Sequence, residues 1–300
     1  MKKLARSDIM NYPFNYIAPT TLEEAIDILK REENAYPMAG GTDLLVAVRA
    51  GKVKPSIIVD IKKIPNLKNI TFTEKGFLIG ALVTIQELKE SNLVKTFYPA
   101  LWQAACCFGC YEIRLRATIG GNIAHSSPGA ETSIPLAIYE AQVIINGPEG
   151  EKFVPFNQFI TGPGKNILIK GELITGFLIP LYPEDIKSIY LRVSRVEGMD
   201  LAVCSLAMLI LPPESPQARK IRISVGAVAP LPWRVEPVEK FLEDKPITRE
   251  VILEAQNIIK ESISPRESSI RGTPPYKKEM IAFMLEKAIH TLLLSEERGE

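Results

Sequence analysis

Two glycine-rich segments constrain the fold and function of this chain more than any other feature. The first glycine segment is residues 39–44 (AGGTDL) and the second is residues 118–122 (TIGGN). Glycine lets the backbone adopt positive φ and approach a ligand closely, and successive backbone N–H groups can then bind an anion without a lysine. Two such segments, each followed by a hydroxyl or amide side chain, predict a divided cradle for a ligand that carries phosphate. The alternative is that both segments are ordinary turns.

Length and charge narrow the class of protein. The chain has 300 residues, of which 46% are hydrophobic and 24% charged, which is enough for about two domains with real cores. The net charge of +1 gives no broad field that would attract nucleic acid or an anionic membrane. The N-terminus lacks the apolar core of a signal peptide, and no apolar run reaches the roughly 18 residues of a membrane span. We therefore expect a cytoplasmic protein with no nucleic-acid partner and no membrane insertion.

The cysteines do not follow the pattern of a secreted protein. Three of the four, Cys106, Cys107 and Cys110, lie close together, and Cys204 is distant in sequence. A zinc or iron–sulfur site at the three would need a further ligand within reach. Cysteine also packs as a small buried hydrophobe, so core packing is the favoured interpretation and a redox or metal role is the alternative.

Hydrophobic periodicity predicts two units in the first 183 residues. The first, over residues 1–65, is a small α/β unit with a helix that starts at a capping box formed by Thr20 and Glu23 and a buried strand at residues 56–61. The second, over residues 66–183, has strands at 76–80 and 172–179, a helix capped by Thr84 with Glu87, a buried helix over 99–110 and a hairpin around 146–150 (NGPEG).

The stretch from residue 184 to 300 has a different character. Three runs, residues 188–195, 201–211 and 220–228, are predicted strands joined by turns at 197–198 and 212–216, which is typical of an antiparallel meander. Helices with apolar residues at every third or fourth position follow. A sheet followed by helices indicates a separate domain. The predicted fold class is α+β: a two-subdomain domain over 1–183, with subdomains about 1–65 and 66–183, then a C-terminal domain over 184–300 of a three-stranded antiparallel sheet plus helices.

The common nucleotide-binding fingerprints do not occur in this sequence. Neither the P-loop pattern GxxxxGK[ST] nor the dinucleotide pattern GxGxxG is present. The nearest GxG is residues 162–164, where the central Pro163 indicates a loop. A diphosphate held between two segments from different subdomains therefore remains as the hypothesis.

At this point a family resemblance can be identified. The segments AGGTDLL and RATIGGNIAHSSPGAET resemble the FAD-binding medium subunit of molybdenum hydroxylases, the xanthine dehydrogenase and carbon monoxide dehydrogenase family. Residues 12–16 (YPFNY), the helix TLEEA, residues 113–114 (IR) and residues 271–273 (RGT) fit the same resemblance, which covers nearly the whole chain. It implies a PCMH-type FAD-binding domain, of the fold shared with vanillyl-alcohol-oxidase-type flavoproteins, followed by a CO dehydrogenase flavoprotein C-terminal-like domain.

The resemblance also implies FAD as the cofactor and assigns residues to it. Backbone amides of the first glycine segment would face the diphosphate, and the second segment would contact the diphosphate and the flavin side. Glu131 matches an acidic position that hydrogen-bonds a hydroxyl-bearing part of FAD, Ile174 an apolar position near FAD, and Val203 a position beside the isoalloxazine that is lysine in some relatives. No catalytic residue or metal ligand is assigned, and the implied cofactor-binding residues are Pro37, Met38, Ala39, Gly40, Gly41, Thr42, Asp43, Leu44, Thr118, Ile119, Gly120, Gly121, Asn122, Glu131, Ile174 and Val203.

In function, the resemblance implies an oxidoreductase subunit of a larger complex. A large partner subunit would carry a molybdenum cofactor and hydroxylate the substrate. A small partner subunit with two [2Fe-2S] clusters would pass electrons to the FAD of this chain, which would deliver them to NAD or another acceptor. Two alternatives stay open: a self-contained FAD-dependent oxidase or dehydrogenase, which would need a substrate domain after about residue 185, and a non-catalytic binding or assembly protein.

Overall fold

The computed structural model describes residues 13–183, 186–196, 198–211, 220–243 and 245–294. Tyr12, Glu197 and the predicted turn at 212–216 lie outside the described residues. Within these ranges the chain forms mixed helix and strand structure built on four sheets, and the predicted α+β class is confirmed.

The first unit is a parallel three-stranded sheet in the order β1-β3-β2. Parallel neighbours need crossover connections, and helices supply them here. One face of α1 buries Ala25, Ile26, Ile28 and Leu29 in the core of this unit. The elements are β1 (Asn15–Ile17), α1 (Leu22–Arg31), β2 (Ala35–Met38), α2 (Leu44–Arg49) and β3 (Ile57–Asp60).

The predicted capping box at the start of α1 is wrong by one residue. Thr21, not Thr20, is the N-cap, and its hydroxyl accepts a hydrogen bond of 3.2 Å from the N–H of Glu24. The segment TTLEE contains two overlapping boxes, which local sequence cannot rank. Starting the helix at Leu22 places its four apolar side chains on the buried face.

The second unit is a five-stranded antiparallel sheet in the order β4-β5-β10-β6-β7. The predicted hairpin is confirmed, with Gly147 paired to Gly150, and so is the capping box of Thr84 with Glu87. The predicted helix from Pro99 ends at Cys107. The strands are β4 (Ile70–Thr73), β5 (Gly76–Gly80), β6 (Gln142–Gly147), β7 (Gly150–Pro155) and β10 (Leu173–Ile179), with a small separate pair β8 (Ile160–Gly162) and β9 (Lys165–Asn166).

Seven short helices lie between and beside these strands. α7 carries the second glycine segment, and α8 is fully buried. The helices are α3 (Ile85–Glu90), α4 (Asn92–Phe97), α5 (Pro99–Cys107), α6 (Tyr111–Arg114), α7 (Ile119–His125), α8 (Ser133–Ile138) and α9 (Phe156–Phe159).

The three predicted C-terminal strands are confirmed, and a two-residue fourth strand extends the antiparallel sheet at its edge. The elements are β11 (Lys187–Val193), β12 (Cys204–Leu211), β13 (Lys220–Gly226), β14 (Trp233–Arg234), α10 (Glu236–Glu243), α11 (Arg249–Ser262) and α12 (Pro274–Ile289), and a π-helical turn at His290–Leu294 follows. Each described helix is too short or too polar to cross a bilayer.

Strand β12 shows that the C-terminal sheet is buried on both faces. Leu206 and Met208 pack in the core shared with α11 and α12, whereas Ala207 and Leu209 pack in the core of the second unit. A strand buried on both faces needs a continuous apolar run rather than an alternating one. This requirement accounts for the hydrophobic stretch at residues 206–211 of β12.

A buried tyrosine links the C-terminal sheet to the second unit. Tyr139 is fully buried, and its hydroxyl lies 2.6 Å from Ser188 Oγ on β11 and accepts a hydrogen bond of 3.1 Å from the N–H of Ala100 on α5. The hydroxyl of Tyr182 donates to the carbonyl of Tyr139 at 2.8 Å. Buried polar atoms that lose a partner are costly, so this cluster fixes the two parts of the chain together.

The change Tyr139→Phe should therefore lower the free energy of unfolding by about 1–2 kcal/mol, because the buried Ser188 hydroxyl and the N–H of Ala100 each lose one of their hydrogen-bond partners. Denaturant unfolding of the purified chain measures the change. The matched control is Tyr111→Phe, since Tyr111 is 53% exposed, and we expect it to be within about 0.5 kcal/mol of wild type. Equal losses in the two variants would contradict this role of Tyr139.

Candidate cofactor site

The first glycine segment connects β2 to α2 and touches the chain just before the second segment. A Cβ at Gly40 would lie 1.8 Å from the carbonyl oxygen of Arg116, so this position admits glycine alone. Gly41 has φ of +73°, which a residue with a side chain rarely adopts. The two glycines thus serve different needs, a close backbone approach at Gly40 and a left-handed turn at Gly41.

The turn leaves a row of backbone donors without acceptors. Asp43 is the N-cap residue of α2 and forms no side-chain capping bond. Among the described residues, none accepts a hydrogen bond from the N–H groups of Gly41, Thr42, Asp43 and Leu44. Consecutive unpaired N–H groups at the start of a helix favour an anion. The first glycine segment therefore has the donors that a diphosphate would need.

The amides of the second glycine segment are already used within the protein. The N–H of Ile119 donates to Val83 O at 3.0 Å, and that of Gly120 donates to Ala81 O at 2.9 Å. The N–H groups of Gly121 and Asn122 donate to the side-chain and carbonyl oxygens of Thr118, at 3.0 and 2.9 Å. The sequence suggested that both segments could be anion-binding nests, but this one has no such row of free amides.

Both segments nevertheless line one cavity of about 480 Å³. Its wall contains all of residues 37–44 together with Thr118, Gly121 and Asn122. A second cavity of about 400 Å³ shares Thr42 and Asn122 with it, among other residues. A third of about 100 Å³ shares Gly121. We call these three adjoining cavities the trough, and the two larger ones match the size of cofactor pockets, roughly 300–1,000 Å³.

Most, but not all, of the residues assigned from the resemblance lie on this trough. Glu131 lines the second cavity, and Ile174 lines the third beside Gly120. Ile119 is fully buried, and Val203 is 1% exposed within the C-terminal core. Neither Ile119 nor Val203 lines any of the three cavities, although Leu201 does. These two residues support the walls rather than form them.

Glu131 is a buried carboxyl in the cavity wall. It is 4% exposed, and its Oε1 lies 3.3 Å from Nη1 of Arg192 on β11. Burial raises the pKa of Glu131 from 4.5 to about 7 despite this ion pair. The sequence pointed to Glu131 but not to Arg192, because the pairing joins positions far apart in the chain. An acid with such a pKa can accept or donate a hydrogen bond near neutral pH.

A polar network around Asp60 holds the first glycine segment in place. The sequence analysis did not identify this network. Asp60, at the end of β3, accepts hydrogen bonds from the Tyr16 hydroxyl and from Lys62 Nζ, the latter at 2.7 Å. The same ammonium donates to Ala39 O at 3.2 Å. Burial alone would raise the pKa of Asp60, but the bonds from Lys62 and Tyr16 lower it. The only sequence signal was a carboxylate that ends an apolar strand.

The cysteine-rich segment supplies another wall of the trough. Phe108 lines both larger cavities, and Arg114 Nη1 holds its carbonyl at 2.9 Å and that of Gly109 at 3.0 Å. Cys204 is buried and Cys107 packs against the core, as the favoured interpretation expected. Cys106 and Cys110 are half-buried free thiols. Within the described ranges, no group of three His, Cys, Asp or Glu residues could hold a metal ion.

Both histidines are exposed, and only one of them is near the trough. His125, at the end of α7, lines the two larger cavities. His290 lies at the end of α12, away from them. Of the two histidines, His125 is therefore the one in the wall of the trough.

Comparisons with known proteins agree with this geometry. A family model described as the FAD binding domain in molybdopterin dehydrogenase matches residues 12–182. A model described as the CO dehydrogenase flavoprotein C-terminal domain matches residues 189–292. Together these models cover most of the chain.

Similar proteins match along almost their whole length. The xanthine dehydrogenase FAD-binding subunit of Escherichia coli O157:H7 is 31% identical over 92% of this chain and 94% of its own. The carbon monoxide dehydrogenase structure from Hydrogenophaga pseudoflava aligns with a TM-score of 0.88 and 29% identity, over 94% of this chain and 98% of that one. Quinoline 2-oxidoreductase from Pseudomonas putida 86 aligns with a TM-score of 0.87 and 27% identity, over 94% and 98%. The chain therefore belongs to the family of FAD-binding subunits of xanthine and carbon monoxide dehydrogenase-type oxidoreductases.

Proposed function

We propose that the chain holds FAD in the trough, with the diphosphate against the first glycine segment. The observation that carries this proposal is the row of four N–H groups, from Gly41 to Leu44, that have no acceptor among the described residues and lie in the wall of a cavity that both segments share. Backbone donors fixed in place bind a phosphate without a reorganisation cost. In this proposal, Pro37, Met38, Ala39 and Gly40 shape the same wall.

The second glycine segment would contribute side chains and space rather than amides. The hydroxyl of Thr132 donates to Asn122 Oδ1 at 2.6 Å, which leaves the side-chain NH₂ of Asn122 to donate into the trough. Glu131 would accept a hydrogen bond from a hydroxyl of the cofactor. Ile174 offers an apolar surface at the other end of the trough, whereas Ile119 and Val203 act by packing behind the walls.

Bound FAD would supply the redox chemistry, and the polypeptide would orient and insulate it. We propose that electrons arrive from the two [2Fe-2S] clusters of a small partner subunit and leave to NAD or another acceptor. A large partner subunit with the molybdenum cofactor would oxidise the substrate. The similarity to FAD-binding subunits of xanthine and carbon monoxide dehydrogenases supports this assignment. A self-contained oxidase is less well supported, because the relatives that match over full length are named as subunits or chains.

The family models and the cysteines also bear on the domain boundaries and the cellular location of the protein. We propose a division at residue 183 into the FAD-binding domain, with subdomains about 1–65 and 66–183, and the C-terminal domain over 184–300. The ranges of the two family models support this division. We also propose that the protein works in the cytoplasm, which the free state of all four cysteines supports.

The proposal predicts FAD in stoichiometric amount on the purified chain, measured by visible absorption and by identifying the flavin released with acid.

The variant Thr42→Asp tests the position of the diphosphate, because it adds a negative charge beside the four N–H groups of Gly41 to Leu44. We expect FAD affinity to fall at least tenfold relative to the uncharged control Thr42→Asn, while unfolding stability is not lowered, because an acid at a helix start is favourable.

Two results would contradict the proposed function. A chain that binds no flavin after incubation with FAD would refute the cofactor assignment itself. Equal FAD affinities for Thr42→Asp and Thr42→Asn would place the diphosphate elsewhere in the molecule.

The raised pKa of Glu131 predicts how stability depends on pH. The folded FAD-free chain retains the Glu131 proton up to about pH 7, whereas the unfolded chain releases it near 4.5. Stability therefore falls as pH rises from about 4.5 to 7. The shift from 4.5 to about 7 corresponds to about 3 kcal/mol. Glu131→Gln keeps an acceptor for Arg192 and should remove this loss, so the variant gains on wild type as pH rises from 5 to 8.

Denaturant unfolding of the FAD-free chain at several pH values measures this difference. The exposed Glu149 provides the control variant Glu149→Gln, whose stability should follow wild type at every pH. Parallel curves for Glu131→Gln and wild type would show that Glu131 titrates normally in the folded chain.

A further inference from the structure

A small cavity lined by positive side chains adjoins the trough. It measures about 140 Å³, and Arg266, Arg271 and Lys277 line it together with the hydroxyl-bearing Ser127 and Ser269. We call these five residues the cationic pocket. Of the described residues that line it, none is acidic. Ser127 also lines the 400 Å³ cavity of the trough, so the two spaces share a wall.

The lysine of the cationic pocket is held in a fixed position. Lys277, in the first turn of α12, is 5% exposed, and its Nζ donates to the carbonyl of Ala227 at 2.8 Å. Ala227 has φ of +60°, an unfavourable conformation for a residue with a Cβ. Its N–H donates to Pro128 O at 2.8 Å. The backbone of Ala227 thus ties the buried ammonium to the segment after the second glycine segment.

The positive charges of the cationic pocket are not neutralised within the described part of the chain. Neither Arg266 nor Arg271 has an ion-pair partner among the described residues, and the Nε of Arg271 is buried without a hydrogen-bond acceptor. Burial, with the charges of Arg266 and Arg271, lowers the pKa of Lys277. Lys277 is buried, Arg271 is half-buried and Arg266 is exposed, and bringing three like charges together is unfavourable unless an anion offsets them.

We propose that the cationic pocket binds a phosphate group, either as free phosphate or as the phosphate of a nucleotide. A phosphate carries a charge of about −1.5 to −2 at neutral pH and three strong acceptor oxygens, which suits three cations and two hydroxyls better than a carboxylate. Guanidinium groups bind phosphate with paired hydrogen bonds. A space of about 140 Å³ admits the phosphate group but not a whole nucleotide, whose remainder would lie in the adjoining cavity or outside.

The cavity of the cationic pocket shares Ser127, Gly129 and Leu201 with the 400 Å³ cavity of the trough but no residue with the first glycine segment. The four free N–H groups of the first glycine segment line the 480 Å³ cavity, whereas no residue of that segment lines the cationic pocket. Phosphate binding here does not require that FAD be the ligand of the trough. The two proposals can therefore fail independently.

The test is calorimetric titration of the full-length, FAD-loaded chain with inorganic phosphate, with sodium chloride holding the ionic strength constant. We expect saturable binding at one site. Arg271→Gln should weaken it at least tenfold, because it removes a charged, paired donor. The control Arg249→Gln removes an exposed arginine of α11 that does not line the pocket, and it should leave the affinity unchanged.

Further titrations identify the ligand and its place. Tighter binding of adenosine monophosphate than of phosphate would support a nucleotide ligand, and equal binding would support free phosphate, provided that Arg271→Gln weakens both. Equal affinity for acetate, or for phosphate in wild type and Arg271→Gln, would overturn the proposal. The proposal would also be overturned if the FAD-free chain bound phosphate and the FAD-loaded chain did not, because the pocket would then belong to the FAD site. If the chain takes up no FAD, the same titrations on the FAD-free chain still compare Arg271→Gln with Arg249→Gln.

Discussion

The contact between Gly40 and the backbone of Arg116 is the constraint on which the candidate site depends. It leaves no room for a side chain, so the loop after β2 lies directly on the turn that precedes α7. The network of Asp60 and Lys62 holds the other side of that loop through Ala39 O. With both sides fixed, the four N–H groups that have no acceptor in the described part of the chain lie in the wall of a cavity lined by both units. A site held by backbone contacts is pre-organised for a rigid anion.

Two segments that look alike in sequence therefore have different roles. In the first, the amides after Gly40 are available to a ligand, and in the second each amide from Ile119 to Asn122 already has a protein acceptor. Gly120 is a packing residue as well, since a Cβ there would lie 2.6 Å from Ala81 O. A pair of glycines in a sequence shows where backbones come close, and only the structure shows whether the neighbour is protein or ligand.

The parts of the fold that the sequence predicted well depend on local signals. The hairpin at Gly147 and Gly150 and the cap at Thr84 are specified by adjacent residues. The pairing of the two glycine segments in one cradle was predicted from the segments themselves and was implied again by the family resemblance, and it agrees with the cavity that both line. The ion pair of Glu131 with Arg192 depends on how parts of the chain that are distant in sequence pack together. Periodicity and motif spacing carry no information about such contacts.

The most direct test of this account is a crystal structure of the chain with FAD bound. The account predicts the diphosphate within hydrogen-bonding distance of the N–H groups of Gly41 to Leu44, with the side chains of Asn122 and Glu131 turned toward the cofactor. A diphosphate in contact with the backbone of residues 119–122, or seated among Arg266, Arg271 and Lys277, would contradict it.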